Sequence, residues 1–327
     1  MNMNSDIKNI LICERFDLEA LLELKKNKKF LVENYSDEKS ETADALVIRS
    51  KFRITAAQLD KSPNLKLIVT CTSGFDHIDL EETQKRSITV MFTPEANAIS
   101  AAELAWSLLM AANRQVCAAH REMKAGKWNR EPFLGHELSG KTLGIIGLGR
   151  IGSRVANFAK AFGMKTLAFD PYQDEAVFQQ TQALRVSYEE ILKQSDFLSF
   201  HVPATFETKN MFSRSQIEYV NPEVIIVNTS RGSAINEDDL ADALLDKKIR
   251  FAALDVFQKE PLTRDSKLNK CQNVILTPHL GAYTEEAFSK ASLEAAQRVT
   301  EFFELNKTLN TLPLKNDWGS LSFAERV

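Results

Sequence analysis

Long apolar runs are missing from this 327-residue chain, and a membrane-spanning helix, which needs about 20 consecutive apolar residues, is not expected. The opening MNMNSDIKN lacks an apolar signal core, so the expected compartment is a reducing cytoplasm. Cysteine is sparse: Cys13, Cys71, Cys117 and Cys271 are scattered with no C-x-x-C. That pattern argues against a disulfide framework or a zinc knuckle, and no metal site is expected. A surplus of one charge is also missing, since 41 Lys and Arg stand against 44 Asp and Glu for a formal net charge of −3. No chain-wide attraction for nucleic acid or an anionic membrane follows. No internal repeat or low-complexity segment occurs. What remains is a soluble enzyme or regulator, and at this length two domains are the natural expectation.

Glycine is scarce too, 12 in all, which makes its clustering informative. In KTLGIIGLGRIGSRVANFAKAFGMKTLAFD (141–170), the apolar run Thr142–Ile146 reads as a buried strand. Gly147, Gly149 and Gly152 follow at the spacing of a dinucleotide-binding turn. The first permits the tight turn, the second lets backbone approach a pyrophosphate, and the third lets the next helix pack closely on the sheet. That helix is expected over 150–162, with Ile151, Val155, Phe158, Ala159 and Phe162 on one face and Gly163 as its stop. The second strand, 165–169, ends in Asp170, close to the roughly 20-residue offset of a ribose-binding carboxylate. A carboxylate accepts from a 2′-hydroxyl and repels a 2′-phosphate, so NAD is expected over NADP.

Ahead of this unit, strands are expected at 7–12, 44–48, 65–70 and 88–92, with a helix at 18–26 and Thr55 as the N-cap of another. The strand 65–70 leads into Thr72, Ser73, Gly74 and Phe75, a turn whose exposed amides suit a small carboxylate. Thr93-Pro94 marks a boundary before an alanine-rich helix, 99–112. The segment 124–137 reads as a loop, basic at its centre, in which Trp128 and Phe133 need cover. Beyond Asp170, helices at 188–193, 213–220 and 237–247 alternate with strands at 197–201, 224–228, 251–255 and 274–277. This alternation predicts an α/β protein with a doubly wound parallel sheet, in which ligands bind beyond the carboxyl ends of the strands. A long helix, 284–305, follows, and the tail 313–327 has no readable role. The boundaries place residues 1–96 and 293–327 in a substrate domain and 97–292 in a cofactor domain.

Arg231, Glu260 and His279 each emerge just after a strand of the second domain. A guanidinium offers a fork for a carboxylate or keto oxygen, an imidazole exchanges a proton near neutrality, and a carboxylate beside it fixes the tautomer. These are the parts for hydride transfer between NAD and a 2-hydroxy acid. Each also has an ordinary alternative as a surface charge, and His201, at another strand end, competes with His279.

The segments SGFDHIDL, SAAELA, LSGKTLGIIGLGRIG, FHVPATFET, VNTSRG, ALDVFQKEP and TPHLGA together resemble the D-isomer-specific 2-hydroxyacid dehydrogenases over nearly the whole length. The resemblance implies a Rossmann NAD domain beside a smaller flavodoxin-like substrate domain, with closure of a hinged cleft near Pro94 and Thr284. It implies Arg231, Glu260 and His279 as the catalytic set and Asp255 near the nicotinamide carboxamide. Amides of Arg150 and Ile151 would meet the pyrophosphate, and His201, Val202, Pro203, Thr205 and Thr229 would line the cofactor groove. Ser73, Gly74, Phe75 and Asn97 would face the substrate. The KAGKWNREPFLGHE and VIRSKFRIT runs most resemble family members that oxidise 3-phosphoglycerate, with Arg49 on the phosphate, joined by Lys51, Arg53 or Arg130 of a partner subunit. Thr70 stands where many of those members carry an arginine. A glyoxylate or hydroxypyruvate reductase is the first alternative, and an NAD-sensing co-regulator on the same fold the second. A homodimer is implied, and no ACT domain is expected after the last helix.

Overall fold

The computed structural model describes residues 7–312, and the tail expectation at 313–327 lies outside them. The chain divides into two units, one of residues 7–98 with 282–312 and one of Ile99–Gly281. The return to the first unit thus falls ahead of position 293, because the helix Glu285–Leu305 packs along its length on first-unit residues.

The first unit holds six strands: β1 (Lys8–Ile12), β2 (Phe30–Asn34), β3 (Ala45–Ile48), β4 (Leu67–Thr70), β5 (Thr89–Phe92) and β13 (Thr311–Leu312), the last numbered in chain order after those of the second unit. Their spatial order is β2-β1-β3-β4-β5-β13, parallel except for β13, which runs antiparallel to β5. The parallel part has flavodoxin order. Every residue of β3 and β4 is buried, as expected of parallel strands covered on both faces. Val47, Val69 and Met91 face Leu24, Ala291, Ala295 and Val299 of the helices 18–26 and 285–305, whereas Leu46, Ile68 and Val90 face Ile54, Leu59 and Ile78. Caps set the helix starts: Asp17 accepts from the amides of Glu19 and Ala20, Thr55 from Gln58, and Thr284 from Ala287.

The second unit holds β6 (Thr142–Ile146), β7 (Lys165–Phe169), β8 (Leu184–Arg185), β9 (Phe197–Phe200), β10 (Ile225–Asn228), β11 (Phe251–Leu254) and β12 (Val274–Leu276). They lie in the order β8-β7-β6-β9-β10-β11-β12, all parallel, with the order reversing between β6 and β9. This is the doubly wound Rossmann arrangement. Along β10, Ile226 faces helices 188–194 and 237–245, while Ile225 and Val227 face helices 98–113 and 150–161.

Several elements differ from the expectation. The helix after the glycine turn ends at Ala161, and Phe162, a capping residue 44% exposed, packs on Trp106 at 5.0 Å rather than in the sheet-facing stripe. A helix, Val116–Lys124, precedes the 124–137 segment, in which Trp128 stays 87% exposed. The strands β2, β8 and β13 and the helices Leu80–Lys85 and Glu175–Thr181 have no counterpart in the sequence reading. They are short or lie at sheet edges, where half-exposed residues break the apolar run.

Gly144, in the middle of β6, shows how tightly the layers fit: a Cβ there would lie 2.2 Å from Ser195 Oγ and 2.7 Å from Leu198. Gly144→Val is expected to destabilise the second unit by about 1–3 kcal/mol through overpacking. The shift in urea midpoint checks this, and an unchanged midpoint would contradict the packing described.

Candidate active site

The turn between β6 and the helix Arg150–Ala161 is shaped by close backbone approach. Gly147 has φ +92°, and a Cβ on it would meet the His201 carbonyl at 2.6 Å. A Cβ on Gly152 would sit 2.1 Å from the Gly147 carbonyl, so only glycine lets the helix start this near the strand. Around Gly149 there is open space instead, with nothing within 4 Å of the position a Cβ would take. The first helical amide bonded back is that of Ser153, to Gly149 O, so the amides of the first turn, Arg150 and Ile151 among them, precede the helix's own ladder. That is a cradle for a phosphate at a helix N-terminus. Asp170, 4% exposed, accepts from the Leu148 amide at 2.8 Å and the Tyr172 amide at 2.9 Å. The acid therefore fixes the glycine turn.

Next to this turn, beyond β9 and β10, lie two buried polar atoms without a hydrogen-bond partner, His201 Nδ1 and Thr229 Oγ1. The other ring nitrogen of His201 pairs with Ser199 Oγ at 2.8 Å. Burial lowers the His201 pKa to about 3, which favours the neutral imidazole. Val202 is buried in the core against the turn, and Thr208 Oγ1 closes the following loop on Pro203 O at 2.6 Å and the Thr205 amide at 2.9 Å.

The strand-end trio is carried on three loops that are bolted together. His279 Nδ1 and Glu260 Oε2 are 2.8 Å apart, with the imidazole 47% exposed. The hydrogen bond that His279 donates to Glu260 raises the His279 pKa above its ordinary value against the opposing effect of burial. Burial pushes Glu260 upward, but hydrogen bonds from His279 and the Phe257 amide, with the charges of His279 and Arg231, hold it below the ordinary range. His279 has a left-handed backbone, φ +54°, with its amide donating to Asp255 O at 2.9 Å.

Asp255 is fully buried, and its carboxylate accepts from Thr277 Oγ1 (2.6 Å) and the amides of Leu280 (2.8 Å) and Gly281 (2.9 Å). Ser100 Oγ holds the Gly281 carbonyl at 2.8 Å. Arg231 follows Asn228, whose buried amide donates to Arg231 O (2.9 Å) and accepts from the Ser230 amide (3.0 Å) and hydroxyl (2.8 Å). Gly232 admits the backbone of Phe257 where a Cβ would be 1.9 Å away. Asn228 and Ser100 are positioning residues that the sequence reading does not single out. An Asx-turn signal at the end of a strand is available for the former.

In the first unit, Ser73 Oγ bonds Pro94 O at 3.1 Å and pairs closely with Asn97 Oδ1, while Thr72 Oγ1 donates to Gly74 O at 2.6 Å. The Phe75 ring lies edge-on to Phe92 at 6.1 Å. Arg49 donates from Nη2 to Phe288 O (3.0 Å) and Ser292 Oγ (3.1 Å), and Lys51, Arg53 and Arg130 are exposed. Thr70 is fully buried, bonded to Thr72 Oγ1 and His77 Nε2.

A glycine turn of dinucleotide-binding form and an acid-paired histidine, both at strand ends of one parallel sheet, are features of the nicotinamide-dependent oxidoreductases. The chain belongs to the D-isomer specific 2-hydroxyacid dehydrogenase family, whose NAD-binding domain model matches residues 106–281. Its cofactor is NAD. It is 41% identical over 280 residues to a D-3-phosphoglycerate dehydrogenase of Methanocaldococcus jannaschii, covering 85% of this chain and 53% of that protein. It is also 41% identical over 258 residues to a hydroxypyruvate reductase of Thermotoga maritima, covering 78% of this chain and 83% of that one. The chain thus spans about half the length of the phosphoglycerate dehydrogenase relative. Among solved structures, a D-lactate dehydrogenase from Aquifex aeolicus complexed with NAD and lactic acid superposes with a TM-score of 0.81 at 28% identity, over 94% of this chain and all of that one (100%). Among the described residues no helix is long and apolar enough to cross a membrane, and no cluster of metal-ligating side chains occurs.

Asp170→Ala is expected to relax discrimination against NADP and, by releasing the Leu148 amide, to weaken NAD as well. Ratios of kcat/KM for the two cofactors check this, and an unchanged ratio would show that the acid does not read the ribose.

Proposed function

We propose that the protein is an NAD-dependent D-2-hydroxyacid dehydrogenase, with oxidation of 3-phosphoglycerate to 3-phosphohydroxypyruvate as the favoured reaction. The observation that carries the dehydrogenase reading is the 2.8 Å pair of His279 and Glu260 beyond β11 and β12 of a dinucleotide-binding sheet. Bound NAD would supply the hydride acceptor for oxidation of the substrate carbon. Gly149 and the first-turn amides would hold its pyrophosphate, Asp170 its ribose, and the buried Thr229 hydroxyl would gain the partner it lacks.

The remaining chemistry belongs to side chains of this chain. Glu260 engages Nδ1 of His279, which leaves Nε2 to take the hydroxyl proton during oxidation and return it during reduction. Glu260 also stabilises the imidazolium that results. Arg231 presents a planar fork to the substrate carboxylate or carbonyl oxygen. Asp255 positions the loop carrying His279, beyond the nicotinamide contact implied by the family, and the turn at Gly74 and Phe75 offers amides to a carboxylate. The phosphorylated substrate is favoured by the phosphoglycerate dehydrogenase relative and by Arg49 at the carboxyl end of β3. Reduction of hydroxypyruvate is the second reading, supported by the relative of that name. A homodimer is proposed through helix 98–113 and the exposed Trp128 and Leu134.

Steady-state kinetics on phosphorylated and unphosphorylated acids separate the two: a higher kcat/KM for hydroxypyruvate than for phosphohydroxypyruvate removes the phosphoglycerate reading. His279→Ala is expected to lower kcat by about 10²- to 10⁴-fold with NADH binding retained. Loss of NADH binding instead would point to a structural role.

Because Glu260 raises the His279 pKa, imidazolium persists to higher pH than for an ordinary histidine. Reduction, which needs the protonated ring, falls only as pH rises through that raised value, and oxidation rises through it. Glu260→Gln is expected to move both limbs to lower pH, and unmoved kcat/KM profiles would deny the coupling.

A further inference from the structure

We infer that Arg15, which no family motif assigns, is a specificity-determining residue that grips the distal phosphate of the substrate together with Arg49. The inference rests on the reading of the protein as a dehydrogenase of a phosphorylated 2-hydroxy acid. In a flavodoxin-ordered sheet the ligand position is the carboxyl end at the point where strand order reverses, here between β1 and β3. Arg15 follows β1, which ends at Ile12, and Arg49 follows β3, which ends at Ile48, so the two arginines flank that point.

Both guanidiniums lie over one ring. Arg15 Cζ lies 4.8 Å and Arg49 Cζ 4.2 Å from the centroid of Phe288. A cation–π contact holds each guanidinium over the ring without consuming its N–H groups, and a planar fork suits a phosphate. Arg49 is held further by its Nη2 bonds to Phe288 O and Ser292 Oγ, whereas Arg15 is exposed and makes no hydrogen bond or ion pair to the described residues.

The acids nearby are otherwise engaged. Glu14 Oε2 accepts from the amides of Arg49 (2.7 Å) and Phe52 (3.1 Å). Asp17 caps the helix 18–26 through Oδ1 and accepts from Ser289 Oγ through Oδ2 at 2.9 Å. Neither carboxylate therefore pairs with the guanidinium of Arg15 or Arg49, and the N–H groups of Arg15 stay open to an anion. The neighbouring strand β4 supplies no cation, because its last residue is the buried, hydrogen-bonded Thr70. Arg15, entering from the other side of the reversal point, stands in for it.

The test compares wild type, Arg15→Ala and Arg15→Lys on phosphohydroxypyruvate and on hydroxypyruvate. Removing one charge-assisted contact to phosphate is expected to lower kcat/KM for the phosphorylated acid about 10- to 100-fold more than for the unphosphorylated one, chiefly through KM. Arg15→Lys, which keeps the charge but loses the fork, is expected to fall between. If wild type prefers the phosphorylated acid and Arg15→Ala loses both activities equally, or neither, the assignment of Arg15 is overturned while the function stands. If wild type does not prefer the phosphorylated acid, the proposed substrate falls, and the site is then decided with inorganic phosphate at saturating NAD. A phosphate-induced rise in Tm that shrinks in Arg15→Ala upholds the anion site, and equal rises, or none, overturn it.

Discussion

The buried carboxylate of Asp255 is the constraint on which the loops at the carboxyl end of the second sheet depend. A charge removed from water is tolerable only when its lone pairs are satisfied, and here a hydroxyl and two backbone amides satisfy them. All three donors lie in the segment Thr277–Gly281, so meeting the electrostatic demand of one acid fixes the path of the loop that carries His279. The same residue's backbone accepts the His279 amide and donates to Asn228 O, tying the ends of β10, β11 and β12 into one assembly. The left-handed conformation of His279, unfavourable for a residue with a Cβ, persists because this network over-determines it.

The two histidines at strand ends show how environment separates residues of one type. His201 sits with one nitrogen on a serine hydroxyl and the other sealed from solvent, and burial depresses its basicity far below neutrality. His279 faces outward with a carboxylate on Nδ1, and its basicity rises. The distinction follows from partners and burial, and a scan for histidines after strands cannot make it. Arginines divide similarly. Arg231 is held by an Asn-anchored turn, whereas Arg15 and Arg49 share an aromatic ring in the other unit.

The strands most legible in the sequence are those buried on both faces, such as β6, β9 and β10, since continuous apolar runs bounded by polar turns leave little ambiguity. β2 is not legible because Glu33 and Asn34 end its apolar run after three residues, and β13 because two residues carry no period at all. The dinucleotide turn is legible from spacing because each glycine answers a steric demand: Gly147 takes a positive φ, and Gly152 touches the Gly147 carbonyl. Helical spacing puts Phe162 on the buried face, but the helix has already ended there.

The sequence alone determined the two α/β units, the parallel order implied by strand and helix alternation, the nucleotide turn with its acid, and the family. These are local or periodic properties, written in consecutive residues. Only the tertiary structure decided that Glu260 meets His279, that Asp255 pins the loop carrying His279, that His201 is buried with its basicity depressed, and that Arg15 and Arg49 both lie over Phe288. Those facts depend on residues separated by tens to hundreds of positions, whose proximity is set by how sheets and helices pack rather than by any spacing along the chain.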